Sequence, residues 1–91
     1  MTRVTSFTKN NLNALRVQKG LTRAKVSRDL SISEPRLHAI EQNEYQFSDQ
    51  ELFEFCVYYQ VGPRKILRMD FTDFFKKYKN QFNDKMYKNS N

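Results

Sequence analysis

The sequence predicts an all-α fold, five short helices followed by an additional amphipathic helix at the C-terminal end. Glycine and proline are scarce, two of each in 91 residues, which excludes collagen-like, linker-like and turn-rich β architectures. Apolar side chains recur at three- and four-residue steps through most of the chain, the helical period. Residues that start and stop helices stand between those stretches. At 91 residues and 38% hydrophobic, the chain has material for one small core.

The first helix is expected from Thr8 to Lys19, with Leu12, Leu15 and Val17 among its apolar positions. Gly20 stops it, since glycine takes the left-handed conformation at a helix end without steric cost. Thr22 then caps a second helix, Arg23 to Leu30, whose Val26 and Leu30 face the core at i, i+4. Ser31-Ile32-Ser33 breaks the period. Ser33 caps a third helix opening at Glu34-Pro35, where proline's missing amide does no harm. Leu37 and Ile40 give that helix an apolar edge, and Asn43 ends it. Ser48 caps a fourth helix, Asp49 to Tyr59, acidic in its first turn as the helix dipole prefers. Its Leu52, Phe55, Cys56 and Tyr59 point inward; Cys56 is expected as a buried, inert thiol, and of Tyr58 and Tyr59 one belongs in the core. Pro63 opens a short fifth helix ending in Ile66-Leu67. Phe71, Phe74, Phe75, Tyr78, Phe82 and Met86 then mark the sixth, amphipathic helix.

Sixteen Lys and Arg against ten Asp and Glu give a net charge of +6. Residues 1–40 hold +6, residues 41–63 hold −5 and residues 64–91 hold +5, so the field is polarised. Such a field favours a polyanion at one face; the plainer reading is helices solubilised by surface cations. One cysteine excludes an intramolecular disulfide, and with one histidine it cannot complete a four-ligand zinc site, so no metal or cofactor is expected. No apolar run approaches the ~18 residues that span a bilayer, and Met1-Thr2-Arg3-Val4-Thr5-Ser6 has no signal-peptide core. A cytoplasmic protein without membrane contact is expected. An enzyme is not, because the chain has no glycine-rich phosphate loop and its lone His38 has no acid partner at a usable spacing. Nor is a small-molecule pocket expected in so short a chain.

The stretch from Thr22 to Glu41 carries the functional signal. Two short helices joined by a three- or four-residue turn, with a small residue where they cross, describe a helix-turn-helix. Ser27 is that small residue, and Val26, Leu30, Ile32, Leu37 and Ile40 are the apolar set that pins one helix across the other.

Beyond the motif, the chain resembles the Cro/phage-repressor type (XRE family) of helix-turn-helix domain. The matching residues are Leu12, Arg16, Gly20-Leu21-Thr22, Val26, Leu30, Ile32-Ser33, Leu37, Ile40-Glu41, Leu52, Phe55-Cys56, Tyr59, Val61 and Ile66-Leu67, in unbroken register over residues 8–67. The chain departs from that pattern at Ser27, where alanine is usual, and at Ser31, where glycine is usual. It departs again at Arg23, in place of glutamine, and at Asn43, in place of glycine. Ser31 must then enter the left-handed region, at about 1–2 kcal/mol for a non-glycine residue. The resemblance implies a five-helix, lambda-repressor-like domain whose third helix lies in the major groove of double-stranded DNA.

Carried onto this chain, the resemblance implies base-reading candidates Ser33, Glu34, Pro35, Arg36 and His38. Arg36 is foremost, since a guanidinium can donate two parallel bonds to guanine, while Pro35 offers a surface to a thymine methyl. It implies phosphate contacts from Thr22, Arg23 and Lys25 at the start of the second helix, Arg16 or Lys19 from the first, and Asn43 with Tyr45 after the third. Arg16 has a second reading, an internal pair with Glu41. The function expected is a transcriptional regulator, a repressor by type, of the stand-alone kind found on phages and mobile elements.

Two domains are expected, residues 1–69 and an appended helix over 70–91. Six aromatics in 17 residues of that tail are too much apolar surface for a lone helix. Burying three phenylalanines alone stabilises by roughly 5–9 kcal/mol before entropy. The preferred expectation is a homodimer packed through Phe71, Phe74, Phe75, Tyr78 and Phe82; the alternatives are a helix folded back on its own chain and a membrane-surface helix. The rival to DNA binding is a protein-interaction module, an antitoxin, anti-repressor or inhibitor, docking through the acidic segment 41–54.

Overall fold

The computed structural model describes residues 6–81. Hydroxyl caps set where its helices begin. α2 (Arg23–Leu30) starts at Thr22, whose Oγ1 accepts from the Lys25 amide at 3.1 Å. α3 (Glu34–Glu41) starts at Ser33, which accepts from the Arg36 amide at 3.4 Å. α4 (Asp49–Tyr59) starts with a reciprocal box, Ser48 Oγ accepting from the Glu51 amide and Glu51 Oε1 accepting from the Ser48 amide at 2.9 Å. All three starts are the ones the sequence predicts. Left-handed residues end the turns that follow: Gly20 (φ 70°) after α1 (Leu12–Gln18), Ser31 (φ 56°) after α2, Asn43 (φ 62°) after α3 and Gln60 (φ 58°) after α4. Ser31 thus takes the conformation its position requires. α5 (Pro63–Ile66) and α6 (Thr72–Tyr78) complete the helices, with a 3-10 turn at Lys79–Gln81.

The start of the chain departs from expectation. α1 begins at Leu12 rather than Thr8, because Asn10 takes the preceding backbone into other bonds. Its Oδ1 accepts from the Leu12 amide at 2.9 Å, and its Nδ2 donates to the Thr8 carbonyl and, at 2.9 Å, to the Ile40 carbonyl of α3. The adjoining backbone pairs with the end of α5, the Asn11 amide donating to the Ile66 carbonyl and Arg68 to Lys9. Ahead of it, β1 (Ser6–Phe7) pairs antiparallel with β2 (Phe47–Ser48), a two-stranded ribbon the helical periodicity does not announce. Both Phe7 and Phe47 drop from it into the core.

That core joins α1 to α6: Leu12, Val26, Leu37, Ile40, Leu52, Phe55, Cys56, Ile66 and Phe74 are all essentially inaccessible. Val17, expected among the apolar positions of the first helix, is instead 60% exposed. Of the tyrosine pair, Tyr59 is buried, while Tyr58 reaches out to donate to Asp29 Oδ2 at 2.6 Å and joins α4 to α2.

α6 folds back on its own chain. Phe74 meets Phe7 edge-on with ring centroids 6.2 Å apart, Tyr78 stacks on Phe53 at 5.0 Å, and Lys77 pairs with Asp49 at 3.0 Å. The rings of Phe74 and Tyr78, expected at a dimer interface, are buried within a single chain, as in the folded-back alternative. Phe75 stays 36% exposed and Phe71 is half-buried. Phe82, expected at the same interface, lies outside the described residues. Among the described residues no helix is long and apolar enough to cross a membrane.

Candidate nucleic-acid interface

Three sets of polar contacts hold α3 against the rest of the fold. Glu41, in the last turn of α3, has a wholly inaccessible carboxylate. It accepts from Arg16 Nε at 2.8 Å and Nη2 at 3.2 Å, and faces Arg23 Nε at 3.5 Å, an ion pair beyond good hydrogen-bond geometry. Arg16 also donates to the Leu21 carbonyl and to Asn13 Oδ1, so its guanidinium is fully engaged inside the protein. The second set is the turn itself: the Ser27 hydroxyl donates to the Ile32 carbonyl, while the Ile32 amide donates back to the Ser27 carbonyl at 3.0 Å. Asn10 supplies the third, through the Ile40 carbonyl. Together they fix the angle between α2 and α3 from both ends of α3.

The opposite side of α3 is open. Ser33, Glu34, Pro35 and His38 are exposed, and Ala39 lies half-buried one turn beyond Pro35 on the same face. Arg36 differs from its neighbours. Its guanidinium makes a two-pronged pair with Glu51 of α4, Nη1 to Oε2 and Nη2 to Oε1, the latter at 3.0 Å, and lies over the Tyr45 ring 5.3 Å from its centroid. The Glu51 bond holds the Arg36 pKa above its ordinary value. Burial works against the Glu51 carboxylate, yet Arg36 and the Ser48 amide outweigh it and leave the group below the usual carboxylate range. The residue expected to read guanine is therefore tied to α4 in the free protein.

A family model described as a helix-turn-helix domain matches residues 11–68, the span from α1 through α5. The chain belongs to the helix-turn-helix domain family. That family is a DNA-binding scaffold. No curated protein and no solved structure matches the chain.

Within this helix-turn-helix, the phosphate candidates separate. Thr22, Lys19 and Lys25 are exposed, Lys25 pairing along its own helix with Asp29 at 3.0 Å. Tyr45 is 52% exposed beside α3. Arg16 is withdrawn from the set, because Glu41 holds it in the interior. Arg23 is turned partly toward the same carboxylate. Asn43 is half-buried and has its Oδ1 engaged by the Asn10 amide at 2.8 Å. The acidic segment 41–54 does not present its charge as one patch: Glu41 is buried, Glu51 holds Arg36 and Asp49 holds Lys77.

Sequence reasoning missed Glu51 as the partner of Arg36, Asn10 as the tie to α3, and Ala39 as part of the open face. Pro35 and Ala39 at i, i+4 carried the signal for Ala39; nothing local announces the other two. Among the described residues no cluster of histidine, cysteine and acidic groups can hold a metal ion.

Proposed function

We propose that this helix-turn-helix protein is a sequence-specific, double-stranded DNA-binding transcriptional regulator of the Cro/phage-repressor (XRE) type, a repressor rather than an activator. The single observation that carries the reading is the open outer face of α3, with Ser33, Glu34, Pro35 and His38 exposed on a helix braced from behind by Glu41 and Asn10. In this reading the face meets base edges in the major groove. Thr22, Lys19, Lys25 and Tyr45, with the amide of Asn43, meet phosphates and fix the register. Arg36 acts as a positioning residue, holding Tyr45 and the start of α4 beside the groove.

The test is selection of bound sites from random duplex DNA, followed by mobility shift across a salt series. A recurring motif is expected, with affinity falling steeply as salt rises. Lys19→Ala and Lys25→Ala each weaken all sites alike and reduce the salt slope by about one. An inverted repeat among the selected sites places two copies on one operator. Absence of any enriched motif refutes the proposal.

A further inference from the structure

Outside the α2–α3 pair, a cleft of about 400 Å³ opens between the end of α1 and the turn that joins α4 to α5. Its wall is mainly polar. Lys19 lines it from the end of α1 and Lys65 from α5, with the side chains of Gln18 and Gln60 beside them. Tyr59 lines it too; that residue is 2% exposed, and its hydroxyl has no hydrogen-bond partner among the described residues. No acid lines the cleft, and neither lysine makes an ion pair among the described residues. The surroundings carry the same sign. From Gln60 to Met69 the chain has Arg64, Lys65 and Arg68, all exposed, and no acid. The Arg68 amide donates to the Lys9 carbonyl, which brings a further exposed lysine beside α5.

Two ammonium groups around one cleft repel each other, and a concave wall of one sign concentrates the field that draws in an anion. A phosphate answers both charges at once and brings several acceptor oxygens, and lysine binds it as a point charge. We propose that Lys19 and Lys65 clamp one phosphate group in this cleft, with the Gln18 side-chain amide as a further donor. The group comes either from the backbone of DNA seated on α3 or from a free phosphate-bearing ligand; the chemistry is shared, and the two arms of the test tell the sources apart. With DNA as the source, the inference rests on the DNA-binding reading and deepens it, adding α5 to the elements that meet the backbone. Lys19 and Lys65 lie far apart along the chain, so no local pattern announces the pair.

The first arm uses the full chain without DNA. Chloride is exchanged for inorganic phosphate at constant ionic strength, and backbone amide resonances are followed by NMR. Saturable shifts are expected at Lys19, Gln60 and Lys65, and they vanish in Lys65→Ala while its thermal midpoint stays near wild type. The second arm is mobility shift across a salt series, on DNA sites selected by the wild-type protein. If the clamp holds a backbone phosphate, Lys65→Ala weakens every site alike and lowers the salt slope by about one. The double variant, Lys19→Ala with Lys65→Ala, then lowers it no further than either single change, because the same phosphate is lost each time. An unchanged slope in Lys65→Ala, together with saturable shifts in the first arm, identifies a free ligand as the source. Slope losses that add to about two put the lysines on separate phosphates and overturn the clamp. So does an unchanged slope combined with no saturable shift. If no DNA motif is selected, the DNA-binding reading falls by itself, and the first arm still decides this site.

Discussion

Glu41→Ala tests the brace behind α3. The mutation removes a carboxylate that is wholly inaccessible and that faces Arg16, whose side chain is itself only 10% exposed. Two short contacts to Arg16 and the pair with Arg23 vanish together. The Arg16 guanidinium is left with the Leu21 carbonyl and Asn13, too few acceptors for a buried cation. Breaking a buried pair by removing one partner typically costs about 3–5 kcal/mol, since the other charge stays behind without compensation. Total stability for a domain of this length is about 5–14 kcal/mol. The loss is therefore a large share of it, and at about 4–8 °C per kcal/mol the thermal midpoint should fall by at least about 12 °C. Urea unfolding followed by circular dichroism measures the first quantity and a thermal melt the second. A double variant, Arg16→Met with Glu41→Leu, separates charge from packing: it should recover part of the stability, because it removes the buried Arg16 charge together with the carboxylate and leaves only Arg23, whose side chain is 32% exposed, without its partner. A loss below about 1 kcal/mol in Glu41→Ala, the range of an exposed ion pair, refutes the claim that this triad holds α3 in place.

Other consequences follow from single contacts. Ser31→Gly should stabilise by about 0.5–1 kcal/mol in urea melts, since it relieves a left-handed serine at φ 56° and pays back only part in chain entropy. Glu51 is held below the usual carboxylate range, so its contribution is complete above the ordinary pKa of about 4.3 and is lost as pH falls through the lower folded value. Glu51→Gln should therefore flatten the acid limb of a stability-against-pH curve below that point and leave its shape near neutrality unchanged. Phe74→Ala should destabilise by about 3–5 kcal/mol, while Phe75→Ala, one residue on but at the surface, should cost about 1 kcal/mol or less by the same melts. Burial pushes the Cys56 thiol well up from its ordinary value, so a thiol reagent at pH 8 should leave it unmodified in the native protein and titrate one thiol in urea.

Much of the helical frame was legible because its determinants are local. Thr22, Ser33 and Ser48 each bond an amide three residues on, and such a bond needs no knowledge of where the rest of the chain goes. The core stripe of α4 and the crossing residues Val26, Leu37 and Ile40 were legible for a similar reason: helical period sorts them onto one side. The site was legible to the extent that it is one helix face, which is why Ser33, Glu34, Pro35 and His38 emerge exposed together.

What the sequence by itself determined, then, is the set of helices, their caps and the helix that offers its polar side outward. Tertiary structure decided the contacts between groups far apart along the chain. Asn10 reaches Ile40 across 30 positions and turns residues 8–11 away from helix, and Arg36 reaches Glu51 across 15 and is tied to α4. Phe74 finds Phe7 from the other end of the fold, so an aromatic stripe that reads as an interface is closed within one chain. The physical reason is common to all three: a cap or a turn is chosen within a few residues by backbone geometry. The partner of a long polar or aromatic side chain is chosen only when packing brings distant segments within a few ångströms.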